Sequence, residues 1–121
     1  VCGQEGSDTR IIFERVVMGE LSVSSSAIVM PHDRGVIEYV AKHPGAIGYA
    51  STALADDRVG LVALDGVLPL TSEIERGEYP LTHPLLLLAS PRAPRGAFQF
   101  VDFAKSSQGR RIIKQRYLVP R

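Results

Sequence analysis

Apolar residues recur at helical spacing after Thr9, at Ile12, Phe13, Val16 and Val17, with Glu14 and Arg15 on the opposite face. This predicts a first helix that stops at Gly19. Ser7 or Asp8 is its expected N-cap, because either side-chain oxygen can accept a bond from an unpaired N–H of the first turn. Residues 22–30 begin polar and small and end apolar, as a loop leading into a short strand would. Val36, Ile37, Val40 and Ala41 mark a second helix starting near Asp33, and Pro44-Gly45 stops it.

Beyond that point the pattern turns to apolar runs. "GAIGYAS" (45–51) and "RVGLVALDG" (58–66) read as strands, the second ending in the turn pair Asp65-Gly66. Thr71 opens a short helix, "TSEIERG", which Thr71 or Ser72 is expected to cap, with Glu73 and Glu75 favouring its positive end. "YPLTHPLLLLAS" (79–90) is extended, and its "PLLLLAS" is strand-sized. The last stretch predicts two consecutive helices broken near Ser106 to Gly109. Phe98, Val101 and Ala104 line the first, and Ile112 and Ile113 anchor the second. Helices interleaved with strands make the expected fold class α/β.

Composition changes this picture little. A chain of 121 residues has room for one domain, and 45% hydrophobic with 22% charged residues suffices for a core without staples. The single cysteine, Cys2, cannot form an intramolecular disulfide. A net charge of +1 gives no overall field to recruit nucleic acid, and no basic stripe alternates with the few aromatics. The charge is uneven, however: Lys105, Arg110, Arg111, Lys114, Arg116 and Arg121 follow Asp102 with no acid among them. That stretch reads as a solvated helix face or as a docking surface for a protein partner. No apolar run approaches the roughly 20 residues of a membrane helix. The start lacks the regions of a signal peptide and is abrupt, as expected of a fragment.

Chemistry-bearing motifs are sparse. His32, His43 and His83 lack the spacing of a metal site, so no metal or cofactor is expected. Cys2 has no base beside it, and no nucleophile elbow, Walker loop or dinucleotide fingerprint is present, so no enzymatic activity is expected. What remains is "GQEGSDTR" (3–10), a loop that opens a helix. A helix start presents unpaired N–H groups and partial positive charge, and so can hold an anion.

In order along the chain, four stretches resemble the second half of the phosphate-binding proteins that serve bacterial ABC transporters, of the type 2 periplasmic binding protein fold. "GSDTRIIFERVV" is similar to that family's Gly-Ser-Gly-Thr-Arg helix opening, and "PGAIGYAS" to its Pro-Gly-Ala-Ile-Gly-Tyr strand. "LDGVLPLTSEIERGEYPLTHPL" is similar to its run from strand through short helix to Tyr-Pro-Leu. "FVDFAKSSQGRRIIKQRYLVP" is similar to its closing Phe-x-x-Phe, Ser-x-x-Gly and Tyr-x-x-Pro segment. The resemblance covers residues 3 to 120. It implies a clamshell of two α/β lobes closing on an anion. Within residues 1–121, a single partial domain, about 1–80 would form one lobe, and about 81–121 the crossover and the helices that return to the other. The lobe that begins such proteins would be missing, and with it gone the exposed apolar surface is expected to drive self-association. An ABC permease as partner and an extracytoplasmic location are likewise implied by the resemblance alone.

The site so implied comprises Gly6, Ser7, Asp8, Thr9 and Arg10. Ser7 and Thr9 supply hydroxyls, Gly6 leaves the backbone open to approach, and Arg10 either adds charge or braces the loop. Two positions depart from the family pattern. Gly3 stands where better-known members carry an arginine that grips phosphate bidentately, and Asp8 stands where they carry glycine. A carboxylate ~4 Å from a phosphate repels it by about 4 kcal/mol at an effective dielectric of 20. Asp8 therefore turns outward and leaves only its N–H to the ligand, or accepts a hydrogen bond from a protonated oxyanion, or marks a fold that has lost its ligand and acts through protein contact.

Overall fold

The computed structural model describes residues 1–115 together with Tyr117 and Leu118. The chain falls into two units, Val1–His83 and Pro84–Arg121.

The first unit is organised by a short parallel pair, β1 (Cys2–Gly3) and β2 (Val29–Met30), in the register Cys2 with Val29 and Gly3 with Met30. Between them runs α1 (Asp8–Phe13), which continues as a π-helical turn over Glu14–Met18 and ends at Gly19 in the left-handed region, φ 64°. The predicted helix and its stop are both present. Its apolar side is only partly covered: Ile12 and Phe13 are half-buried, whereas Val16 and Val17 are exposed. Ser7 occupies the N-cap position in an extended conformation, but its side chain makes no capping bond.

Helix α2 (Asp33–Lys42) lies against both strands. Val36 and Ile37, 2% and 6% exposed, are with Cys2 the most deeply buried apolar side chains of the unit. The cap is His32, whose ring Nδ1 accepts from the Gly35 N–H at 3.1 Å. The chain then breaks at Pro44-Gly45 as the sequence predicts.

The apolar runs expected to be strands are not strands. Residues 46–50 run beside β1, with the Val1 amine donating to the Ile47 carbonyl at 2.7 Å, but no ladder follows. Gly48 sits so close to α2 that a Cβ there would stand 2.6 Å from Val36 Cγ1. Residues 58–66 are likewise unladdered apart from one antiparallel bridge, Leu64 with Val67. That bridge closes the predicted turn: Asp65 and Gly66 both take positive φ, 49° and 81°, as the tightest hairpin turn requires. Residues 84–90 have no ladder either, and Leu88 is 90% exposed. Apolar runs report what would be buried; a strand also needs a neighbour for its N–H and C=O groups.

Helix α3 (Thr71–Glu75) is present where expected but differently capped. Leu70 holds the N-cap position without a side-chain bond, which puts Thr71 and Ser72 inside the first turn rather than ahead of it. Arg76 pairs with Glu73 and with Glu78, the latter at 3.0 Å.

In the second unit α4 (Arg95–Lys105) and α5 (Ser107–Ile113) break at Ser106, within the predicted interval. The Ser106 hydroxyl accepts from the Gly109 N–H (3.2 Å) and donates to the Phe103 carbonyl (2.6 Å), ending one helix and starting the next. Val101, Ala104 and Ile113 are half-buried, but Phe98 and Ile112, expected on the inner side, are exposed. Lys105, Arg111 and Lys114 are exposed, as on a solvated helix face. Arg116, Pro120 and Arg121, which belong to the basic stretch and the closing motif, lie outside the described residues.

Candidate functional site

The loop ahead of α1 is shaped by its own backbone. Gly6 takes φ 80°, a left-handed conformation that costs glycine least, and Ser7 returns to extended before the helix begins. The Ser7 N–H donates back to the Gln4 carbonyl at 3.1 Å, and the first helical bond runs from the Ile11 N–H to the Ser7 carbonyl at 3.0 Å. The N–H groups of Asp8, Thr9 and Arg10 therefore precede any intrahelical partner.

The side chains of the five candidate residues go separate ways. Ser7 Oγ is buried and has no hydrogen-bond partner. Asp8 is exposed on the first turn, where an acid complements the helix dipole without capping it. Thr9 Oγ1 donates to Asp33 Oδ1 at 3.0 Å. The other carboxylate oxygen, Asp33 Oδ2, accepts from the Ser51 N–H at 2.8 Å, so one side chain ties together the starts of α1 and α2 and the end of the "GAIGYAS" segment.

Arg10 takes the bracing role. Its Nε donates to Glu14 Oε1 at 3.0 Å, and the same oxygen accepts from the Val23 N–H at 3.2 Å. The Arg10 side chain is 14% exposed, so the pair is shielded better than an ordinary surface bridge. The Val23 N–H and then the guanidinium hold the Glu14 carboxyl below its usual range, and the bond to Glu14 in turn raises Arg10.

Behind the loop, Phe13 and Tyr49 stack with ring centroids 4.2 Å apart and planes 13° from parallel. The Tyr49 hydroxyl is buried without a partner. Burial, with the nearby Cys2 sulfur adding to it, pushes its pKa up to about 12. Sequence reasoning missed Asp33, Tyr49, Ser51 and Glu14 as parts of this neighbourhood. Asp33 was visible only as a helix start, and the others as members of a strand or a helix face.

Gly3 adjoins the same loop. A Cβ built on it would lie 2.8 Å from Ser7 Oγ and 3.6 Å from Thr9 Oγ1, so both hydroxyls face the bare Cα. Among the described residues no three His, Cys, Asp or Glu side chains gather as metal ligands would, and no helix is long and apolar enough to cross a membrane.

No protein-family model matches the chain. It is 30% identical over 110 residues to the phosphate-binding protein PstS of Bacillus subtilis, covering 90% of this chain and 36% of the relative. It is 27% identical over 92 residues to the phosphate-binding protein PstS 2 of Streptococcus pneumoniae, covering 76% of this chain and 32% of the relative. A crystal structure of the phosphate-binding protein of a phosphate ABC transporter from Streptococcus pneumoniae superposes with a TM-score of 0.85 at 24% identity, over 99% of this chain and half (50%) of that one. The chain thus spans about a third of the length of these curated relatives. It is similar to phosphate-binding proteins of ABC transporters and carries part of the type 2 periplasmic binding protein fold.

Proposed function

We propose that the chain is part of a solute-binding protein that holds phosphate or a related oxyanion at the start of α1 and presents it to an ABC permease outside the cytoplasm. Binding is non-covalent, through the N–H groups of Asp8, Thr9 and Arg10 and the hydroxyl of Ser7, with Gly6 keeping the backbone accessible. The observation that carries this reading is Ser7 Oγ, a buried hydroxyl with no partner at the same helix start. An unmet buried polar group costs free energy that an incoming acceptor would recover. The relatives, phosphate-binding proteins by name, support the choice of anion. The roles divide among the five residues: Arg10 braces the loop through Glu14, and Asp8 gives its N–H while its carboxylate stays in solvent.

The test is a ¹H–¹⁵N titration of the chain with inorganic phosphate, then sulfate, at matched ionic strength. Saturable shifts confined to residues 6–10 support the reading. Silence at those amides up to high millimolar phosphate removes it for this chain.

A second reading, a ligand-free descendant acting through protein contact, is favoured by one observation. The place of the family's arginine is closed, because a side chain at Gly3 meets Ser7 Oγ. Asp8→Gly, which leaves the closed position 3 untouched, discriminates. If it creates tight phosphate binding where the native chain has none, the descendant reading stands.

A further inference from the structure

We infer that α2 is held at its ends by two histidines that respond to acid in opposite ways, so that protonation loosens its first turn, at Asp33, and tightens its last. Neither ring belongs to residues 6–10, and the device works whether or not those residues hold an anion.

The backbone fixes where each imidazole carries its proton. At the start of α2 the Gly35 N–H can only donate, and it donates to His32 Nδ1 at 3.1 Å. That nitrogen is therefore bare, and the ring proton sits on Nε2. At the end of α2 the Tyr39 carbonyl can only accept, and it lies 2.8 Å from His43 Nδ1. There the proton sits on Nδ1, and Nε2 is bare.

A second proton consequently has opposite effects on the two bonds. On His32 it takes the lone pair that caps the helix, so the ring must swing away from Gly35. It also sets a positive charge at the positive end of the helix. The Gly35 N–H keeps its other acceptor, the His32 carbonyl at 2.9 Å, so the first turn is weakened rather than lost. On His43 the proton enters at Nε2 and leaves the bond to Tyr39 in place, now charge-assisted. The cation then lies at the negative end of the helix and against the Tyr39 ring, with centroids 3.9 Å apart and planes 12° from parallel.

Both histidines are exposed, and among the described residues neither takes part in an ion pair. Of the elements packed against α2, the turn at Thr52–Leu54 and β2 bring no titratable side chain, and β1 brings only the buried Cys2 thiol. The charged neighbours of His32 are Asp33 and Arg34 of its own helix. Those of His43 are Lys42 and the Val1 amine, which line the same groove. The loosening at the first turn falls on Asp33, whose carboxylate joins Thr9 Oγ1 to the Ser51 N–H.

The test is amide exchange of the chain at pH 8 and at pH 5, a span in which histidine side chains change charge, corrected for the intrinsic rate at each pH. Protection at Gly35 is expected to fall on the order of threefold at pH 5, part of the worth of a full cap, while protection at Lys42 and His43 rises. His32→Asn keeps an uncharged acceptor at every pH and flattens the Gly35 profile alone. His43→Phe keeps a ring beside Tyr39 without a titrating proton and flattens the profile at the far end alone. Opposite trends at the two ends, each abolished by its own variant, support the inference. Trends of the same sign, or a fall at Gly35 that survives His32→Asn, overturn it. Should a variant fail to fold, the native chain decides through its imidazole resonances. The change at Gly35 must then track the titration of His32, and the change at residues 42–43 that of His43; any other pairing overturns the inference.

Discussion

Ser7 Oγ stands 2.8 Å from the point where a Cβ on Gly3 would lie, although three residues and a left-handed turn separate them in sequence. The loop doubles back on β1, and only a residue without a side chain lets the hydroxyl occupy that space. Gly3→Ala therefore requires the Ser7 hydroxyl to turn to another rotamer and is expected to destabilise the chain by up to about 1 kcal/mol. Ser7→Gly should relieve most of it. Chemical denaturation of the two single variants and the double gives the coupling, and additive effects would show that the contact is not what constrains position 3.

Glu14 ties α1 to residue 23, and its lowered pKa sets the sign of a pH effect. A carboxyl that ionises more readily folded than unfolded contributes stability at neutral pH and loses it as pH falls through the lowered value. Glu14→Gln keeps an acceptor for the Val23 N–H but removes this dependence. Urea midpoints measured from pH 7 down to pH 3 should fall more steeply in the native chain than in the variant.

Tyr49 pairs an aromatic stack with an unmet hydroxyl, two features that one substitution separates. Tyr49→Phe keeps the ring against Phe13 and deletes the buried oxygen, so thermal stability is expected to hold or to rise by up to about 1 kcal/mol. In the native chain a phenol raised to about 12 holds its proton better folded than unfolded. The stability it contributes is present below the ordinary tyrosine value and is lost as pH rises toward 12. Tyr49→Phe should shift the alkaline unfolding midpoint upward.

Ser106 serves two helices through one hydroxyl. Ser106→Ala leaves the Gly109 N–H without its side-chain acceptor, at a cost of about 1 kcal/mol. Hydrogen exchange should quicken at the first amides of α5 and leave α2 unchanged. Ser106→Asp, which restores an acceptor, should recover the protection.

The run at 84–90 exposes a row of leucines with unladdered backbone, Leu86 at 67% and Leu88 at 90%. Exposed extended apolar segments template pairing with other chains. Light scattering of the chain is expected to show concentration-dependent association, reduced by Leu86→Lys with Leu88→Lys. A clean monomer at high concentration in the native chain would remove this expectation.

What the sequence determined by itself was local. The helix from Asp8, the stop at Gly19, α2 from Asp33, the Asp65-Gly66 turn and the break at Ser106 follow from periodicity, backbone preference and short-range capping, all settled within a few residues. The tertiary structure decided which partners distant groups found. The runs at 45–51 and 58–66 are apolar enough for strands, yet a ladder depends on a neighbour that no local pattern specifies. The same holds for the candidate site. Its five residues were legible as a helix start, but nothing in "GSDTR" reveals that Thr9 donates a hydrogen bond to Asp33, 24 residues away, or that Ser7 has no hydrogen-bond partner beside Gly3. A hydroxyl's chemistry depends on where its proton points, and that direction is fixed by whatever the fold brings within 3 Å.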